Sequence, residues 1–168
     1  LGSHPLTQLP KSDLADYNVQ LIDCADKPRR PPILASIMVD LSTGERCVVY
    51  AHTERRKLRS EAIRPSILEG AQILLLDGHY LPQAVQLATL ARSQGIPVVL
   101  DGGSWKEGLD QLLPLIEYAI CSDNFHPPGC TDKQGVIASL REAGIEHIAI
   151  TRDDDPIIAH HQGKNIEL

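Results

Sequence analysis

No apolar run in this sequence approaches the roughly 20 residues that a helix needs to cross a bilayer. The opening, Leu1-Gly2-Ser3-His4, lacks the basic and apolar regions of a signal peptide. The expected setting is therefore cytoplasmic, with no membrane partner. An excess of positive charge is missing too: 16 Lys and Arg stand against 22 Asp and Glu, a net charge of -6. That balance argues against general affinity for nucleic acid, while permitting an anionic small molecule in a locally basic cleft. The four cysteines, Cys24, Cys47, Cys121 and Cys130, follow no framework spacing, so reduced thiols are expected. Glycine-rich dinucleotide fingerprints, Walker motifs, nucleophile elbows and zinc-protease helices are all absent from the sequence, which disfavours a dinucleotide-binding enzyme. Low-complexity segments and short-period repeats are lacking as well.

What remains is a composition of 42% hydrophobic and 23% charged residues, that of a globular domain with a buried core. Its organising stretch runs from Ile73 to Lys106. An apolar run, Ile73-Leu74-Leu75-Leu76, ends abruptly in Asp77-Gly78-His79, and a second, Pro97-Val98-Val99-Leu100, ends in Asp101-Gly102-Gly103. Between them Leu81, Ala84, Val85, Ala88 and Ala91 recur at helical spacing. A crossover of this length joins parallel strands, so Asp77 and Asp101 are expected side by side at the carboxyl edge of one sheet, where ligands bind in open α/β folds. Leu74, Leu76, Val98, Leu100, Ile120, Ile148 and Ile150 are the expected buried strand positions.

Ahead of that stretch, Leu6, Leu9, Leu14 and Tyr17 suggest a helix interrupted or shifted by Pro10, and Val19 to Ile22 a short strand. A basic, proline-rich connector, Pro28 to Pro32, leads to a hairpin in which Ala35, Ile37 and Val39 alternate with Ser36, Met38 and Asp40 and Cys47 to Tyr50 returns after Ser42-Thr43-Gly44. Arg55 to Arg59 reads as a solvated basic loop, with an anion-binding role as the alternative. A short helix from Ser66 to Glu69 precedes the organising stretch. Beyond it the alternation continues with a short helix from Gly108 to Leu115, a strand Tyr118 to Cys121, a helix Thr131 to Ala143 and a strand His147 to Ile150. Thr131 with Gln134 has the form of a capping box. A terminal hairpin turns at Gln162-Gly163.

Taken together, Asp77-Gly78-His79, then Gly95 to Lys106, then Cys121-Ser122-Asp123-Asn124-Phe125, then Ile148 to Arg152, resemble in order and spacing the ribokinase-like (PfkB) carbohydrate kinases. The resemblance implies a three-layer α/β/α sandwich with a mainly parallel sheet and a small β-sheet lid. Residues 1–168 would be a partial domain, with about 28–52 as the lid and 60–168 as the α/β core. It also implies ATP-dependent phosphorylation of a sugar hydroxyl, with ATP and Mg2+ as cofactors and a homodimer formed through the lid over Ile37, Val39 and Val49. On the sugar side it points to Asp77, with His79 nearby, Asp101 and Lys106. On the nucleotide side it points to Asp123, Thr151 and Asp153. Asp123 and His126 stand where relatives carry an Asn-x-x-Glu motif that helps organise magnesium. Asp153 replaces the first glycine of a Thr-x-Gly-x-x-Gly segment. The Gly-Ala-Gly-Asp segment that supplies the anion hole and the base is not in the sequence, so no catalytic residue is named, and that segment and the upstream sugar motif are expected beyond Leu168 and before Leu1.

Plainer readings stand beside these. Asp77 also suits a helix N-cap, and Lys106 a surface lysine. Cys121, His126 and Cys130 lack a fourth zinc ligand at a convincing spacing. His160-His161 reads as exposed turn, and Asp153-Asp154-Asp155 as a solvated acidic loop. A non-catalytic sugar- or nucleotide-binding protein on the same fold is the rival to the kinase.

Overall fold

In the computed structural model, residues 1–24, 31–50, 58, 63–161 and 163–168 are described. The Arg55–Arg59 segment apart from Leu58, most of the Pro28–Pro32 connector, and Gln162 lie outside them. The chain divides into two units, Leu1–Ile63 and Arg64–Leu168.

In the first unit, a 3-10 turn, Pro5–Thr7, runs into helix α1, Gln8–Asp16. Pro10 does not interrupt it. The residue falls in the first turn, where backbone N–H groups have no intrahelical acceptor to lose. The strand expected at Val19 to Ile22 does not form. Strands β1, Ala35–Val39, and β2, Arg46–Tyr50, pair antiparallel as a hairpin. Asp40 sets its turn: Oδ1 accepts from the Ser42 amide at 2.8 Å and from the Ser42 hydroxyl at 2.6 Å. These bonds, the hydroxyl one foremost, hold the Asp40 carboxyl below the usual carboxylate range.

The second unit is one six-stranded sheet in sequential order: β3, Leu74–Leu76; β4, Val98–Gly102; β5, Tyr118–Ser122; β6, His147–Arg152; β7, Asp155–His161; β8, Lys164–Glu167. The first four are parallel, and β7 and β8 add antiparallel. Helices α2, Leu81–Ser93, and α3, Lys133–Glu142, form two of the crossovers. Between β4 and β5 the expected single helix is a pair of 3-10 turns, Leu109–Gln111 and Leu113–Leu115, because Pro114 falls in the middle of the segment and has no N–H to donate. The segment before β3 is likewise a 3-10 turn, Pro65–Leu68.

Sheet alternation separates the two faces. Leu76, Val98, Leu100, Ala119, Cys121, Ile148 and Ile150 enter one aliphatic core with Ala84, Ala88 and Ala91 of α2 and Val136, Ile137 and Leu140 of α3. Leu74 is half-buried against it. Ile120 corrects the expected list: it points to the other face and is 47% exposed, beside exposed Leu75, Tyr118 and Ile157. His160 is a second correction. It lies within β7, not in a turn, and is 5% exposed. Its Nδ1 meets Asn165 Oδ1 at 2.6 Å, and Asn165 donates to Gln134 Oε1 at 3.3 Å, so a polar chain rather than solvent satisfies the ring.

Candidate functional site at the carboxyl edge of the parallel sheet

The register of the parallel strands assembles the site. Leu76 pairs with Leu100, so the next residues, Asp77 and Asp101, leave adjacent strands at the same level, about 5 Å apart along the hydrogen-bonding direction. Gly102 pairs with Cys121, and Ser122 with Thr151. The strand ends thus bring Asp77, Asp101, Ser122, Asp123, Thr151 and Asp153 to one edge. Asp77, Asp101, Asp153 and Thr151 are exposed there.

Asp77 is not the cap of α2. That helix starts at Leu81, after Tyr80, and Asp77 Oδ1 instead accepts from the His79 amide at 2.9 Å, closing a tight turn. The turn needs left-handed backbone at Gly78, φ +69°, and at Tyr80, φ +50°. Gly78 is also tightly placed, since a Cβ there would lie 3.2 Å from Leu109 Cδ1. Tyr80 has a side chain and pays for the conformation with about 1–2 kcal/mol of strain, a kind of strain found at ligand-contacting loops. Lys106 Nζ donates to the carbonyl oxygens of Asp77 at 3.2 Å and Ser104 at 3.3 Å. Its ammonium is thereby fixed at the end of β3 and is not a freely waving surface charge. His79 is exposed in the same turn.

Gly102 lets the β4 end pack closely: a Cβ would meet Cys121 Sγ at 2.8 Å and the Phe125 ring at 3.0 Å. Burial, with a lesser contribution from the Asp101 charge, pushes the Cys121 thiol up to about 12. Ser122 Oγ donates to Gly103 O at 2.6 Å and accepts from the Asn124 amide at 3.2 Å, so it ties the β4 and β5 ends together.

At the β5 end, Asp123 is engaged by Lys133. Nζ lies 2.7 Å from Oδ1 and also donates to the Asp123 carbonyl oxygen. That hydrogen bond foremost, then the charges of Lys133, His126 and Arg152, holds the Asp123 carboxyl below the usual range. Thr151 Oγ1 reaches back to Cys121 O at 3.4 Å. Arg152 is held by Pro156 O at 2.7 Å and Glu167 Oε1 at 3.2 Å. Asp153 has φ +42°, the backbone a glycine would adopt, although its carboxylate stays at the edge. A Mg2+ ion calls for several hard oxygen ligands in octahedral array. The residues do not fit that demand, because Asp123 gives Oδ1 and its carbonyl oxygen to an ammonium, which leaves a single carboxylate oxygen, and His126 offers nitrogen. Among the described residues no group of three His, Cys, Asp or Glu is arranged to hold a metal. All four cysteines are free thiols.

Lys133 and Ser122 escaped the sequence reading. Serine after a strand carries no signal of its own, and a lysine at the start of a helix reads as surface. One cue was present in retrospect: a cation at a helix N-terminus opposes the helix dipole and calls for a compensating acid.

No family model matches the chain, and no curated protein sequence matches it either. Solved structures do. The fructokinase of Xylella fastidiosa superposes with a TM-score of 0.77 at 18% identity over 99% of this chain. The chain has the ribokinase-like fold. A putative ribokinase II from E. coli in complex with ATP and Mg2+ gives a TM-score of 0.71 at 14% identity over 100% of the chain. The ribokinase of Arabidopsis thaliana, complexed with ribose and ATP, gives 0.67 at 19% over 100%. This ribokinase-like chain spans 58%, 59% and 58% of those three proteins, respectively. No described helix is long and apolar enough to cross a membrane.

Proposed function

We propose that this chain is the central portion of an ATP-dependent sugar kinase. The observation that carries the reading is the in-register pair Asp77 and Asp101, set on the same sheet edge as Thr151 and Asp153. Paired carboxylates accept from several hydroxyls at once, which suits a polyol such as a sugar. His79 joins them from the Asp77 turn, and the fixed Lys106 ammonium would hold an anionic part of the substrate or a transferring phosphoryl group. ATP would lie over the β5 and β6 ends, against Asp123, Thr151 and Asp153. The structures that superpose on this chain include complexes with ATP and with ribose, which supports a sugar and ATP as the two ligands. Phosphoryl transfer depends on positioning and on stabilising charge on the moving group, and the residues here position the two ligands without supplying a base. The 168 residues alone are therefore expected to show no turnover, the base belonging to the rest of a longer kinase. The hairpin β1–β2 would act as the lid, and the protein would work in the cytoplasm without nucleic acid.

A specific observation favours the second reading, a non-catalytic sugar- or nucleotide-binding protein. Asp153 places a carboxylate where phosphates would approach, and like charges repel. A coupled ADP-release assay over a sugar panel, run on this chain and on the gene-length protein, separates the two. Turnover by the long protein alone supports the kinase; sugar binding by calorimetry with no turnover from either supports the binding protein. Equal turnover from both would overturn the placement of the base outside this chain.

A further inference from the structure

We propose that Lys133 takes the cation position at the end of β5, so that a nucleotide bound at this edge is met by an ammonium rather than by a divalent metal at Asp123. This rests on the nucleotide reading of that edge. Lys133 is the first residue of α3, directly after its cap Asp132, where the helix dipole disfavours positive charge. Something must hold it there, and Asp123 does so with both of its oxygen types, carboxylate and carbonyl. A hard cation would use these oxygens, and Lys133 leaves it only Oδ2 of this residue. An ammonium has three donors. Two serve Asp123, leaving one N–H for an approaching anion, and the side chain retains 21% of its exposure, enough to be reached. Arg152 is close enough for its charge to act on Asp123, so an incoming dication would meet two fixed cations there, Lys133 and Arg152. The remaining expected metal contact, His126, supplies an imidazole nitrogen, which suits zinc, copper, iron and nickel rather than magnesium or manganese.

The test has two arms. In the first, Mn2+ is titrated into the chain, and paramagnetic broadening of amide signals around Asp123 and Asn124 is followed by NMR. Wild type and Lys133→Arg should show none there, and Lys133→Gln should show it, because removing the ammonium frees Oδ1 and the carbonyl oxygen of Asp123 to join Oδ2. Broadening at Asp123 in wild type, or its absence in Lys133→Gln, overturns the proposal. In the second, ATP binding is measured by calorimetry in EDTA and in Mg2+. Wild-type affinity should be the same in both, and Lys133→Gln in EDTA should bind about tenfold more weakly, the loss of one charge-assisted hydrogen bond. An equal rise with Mg2+ in both proteins overturns the proposal. Absence of ATP binding in every protein overturns the nucleotide reading itself, and the Mn2+ arm still decides which cation Asp123 accepts. A purely structural ion pair would change melting in Lys133→Gln without changing the metal response of either arm.

Discussion

Asp153 occupies the first position of the two-residue turn that joins β6 to β7, with Arg152 and Asp155 paired across it. Its φ of +42° is tolerated by Asp and Asn better than by other side-chain-bearing residues. The charge and the conformation can therefore be separated by one substitution. Asp153→Asn keeps the turn, so the urea midpoint should stay within about 0.5 kcal/mol of wild type, while ATP affinity measured by calorimetry should rise. An unchanged affinity would show that the carboxylate points away from the phosphates. Cys121 supplies a second test at this scale. With its pKa pushed up to about 12 by burial, it stays a thiol in the native protein well above the range in which an unfolded cysteine ionises. A group with a raised folded pKa contributes stability below its unfolded pKa, so that contribution falls as pH climbs from about 9 toward 12. At pH 8, a thiol reagent should label exposed Cys47 rapidly and Cys121 only after unfolding, as mass spectrometry of the labelled peptides would report.

Helix α3 shows how a local choice is settled by geometry. Two residues compete to cap it, and Asp132 wins: its carboxylate accepts from the Gly135 amide at 2.7 Å with extended backbone at φ -140° and ψ 170°. Thr131 and Gln134 leave the capping box unmade, and Gln134 turns to Asn165. Asp132→Ala should cost about 1 kcal/mol in a urea melt and Thr131→Ala only a few tenths; the reverse order would restore the box. The sequence made elements of this kind visible by period, because β4, β5, β6 and α3 each bury a regular set of aliphatic residues. It was silent where the deciding partner is remote. Ile120 matches its neighbours in composition, but one step of the pleat turns it to the open face. His160 resembles a turn residue until Asn165 and Gln134 are brought beside it. Val19 to Ile22 has strand-forming side chains and, among the described residues, no partner strand. At the site, Asp77 and Asp101 could be placed by counting along parallel strands. Lys133 could not, because it meets Asp123 only after the chain has gone through the loop and back.

At the scale of the molecule, the hairpin β1–β2 raises the question of what covers it. A two-stranded hairpin is marginally stable in water, and every residue of both strands is exposed. The register sorts its side chains into two faces. Ile37 pairs with Val48, Ala35 with Tyr50 and Val39 with Arg46, so Ala35, Ile37, Val39, Arg46, Val48 and Tyr50 share one face. Val49 pairs with Ser36 and lies on the other with Met38 and Cys47, which replaces the grouping of Val49 with Ile37 and Val39. The first face carries five apolar residues, with Arg46 at one end, and it is the one we propose as a dimer surface. At Ile37, 62% of the surface is exposed, so burying it against a second copy would recover most of its roughly 1.5–3 kcal/mol of transfer free energy. Light scattering at high concentration should give twice the chain mass. Ile37→Asp, which sets a charge in the middle of that face, should return the protein to monomer. Met38→Asp, on the opposite face of the same strand, should leave the dimer intact. If both substitutions dissociate it, the two faces act together; if wild type is already monomeric, the hairpin is covered by something other than its own copy.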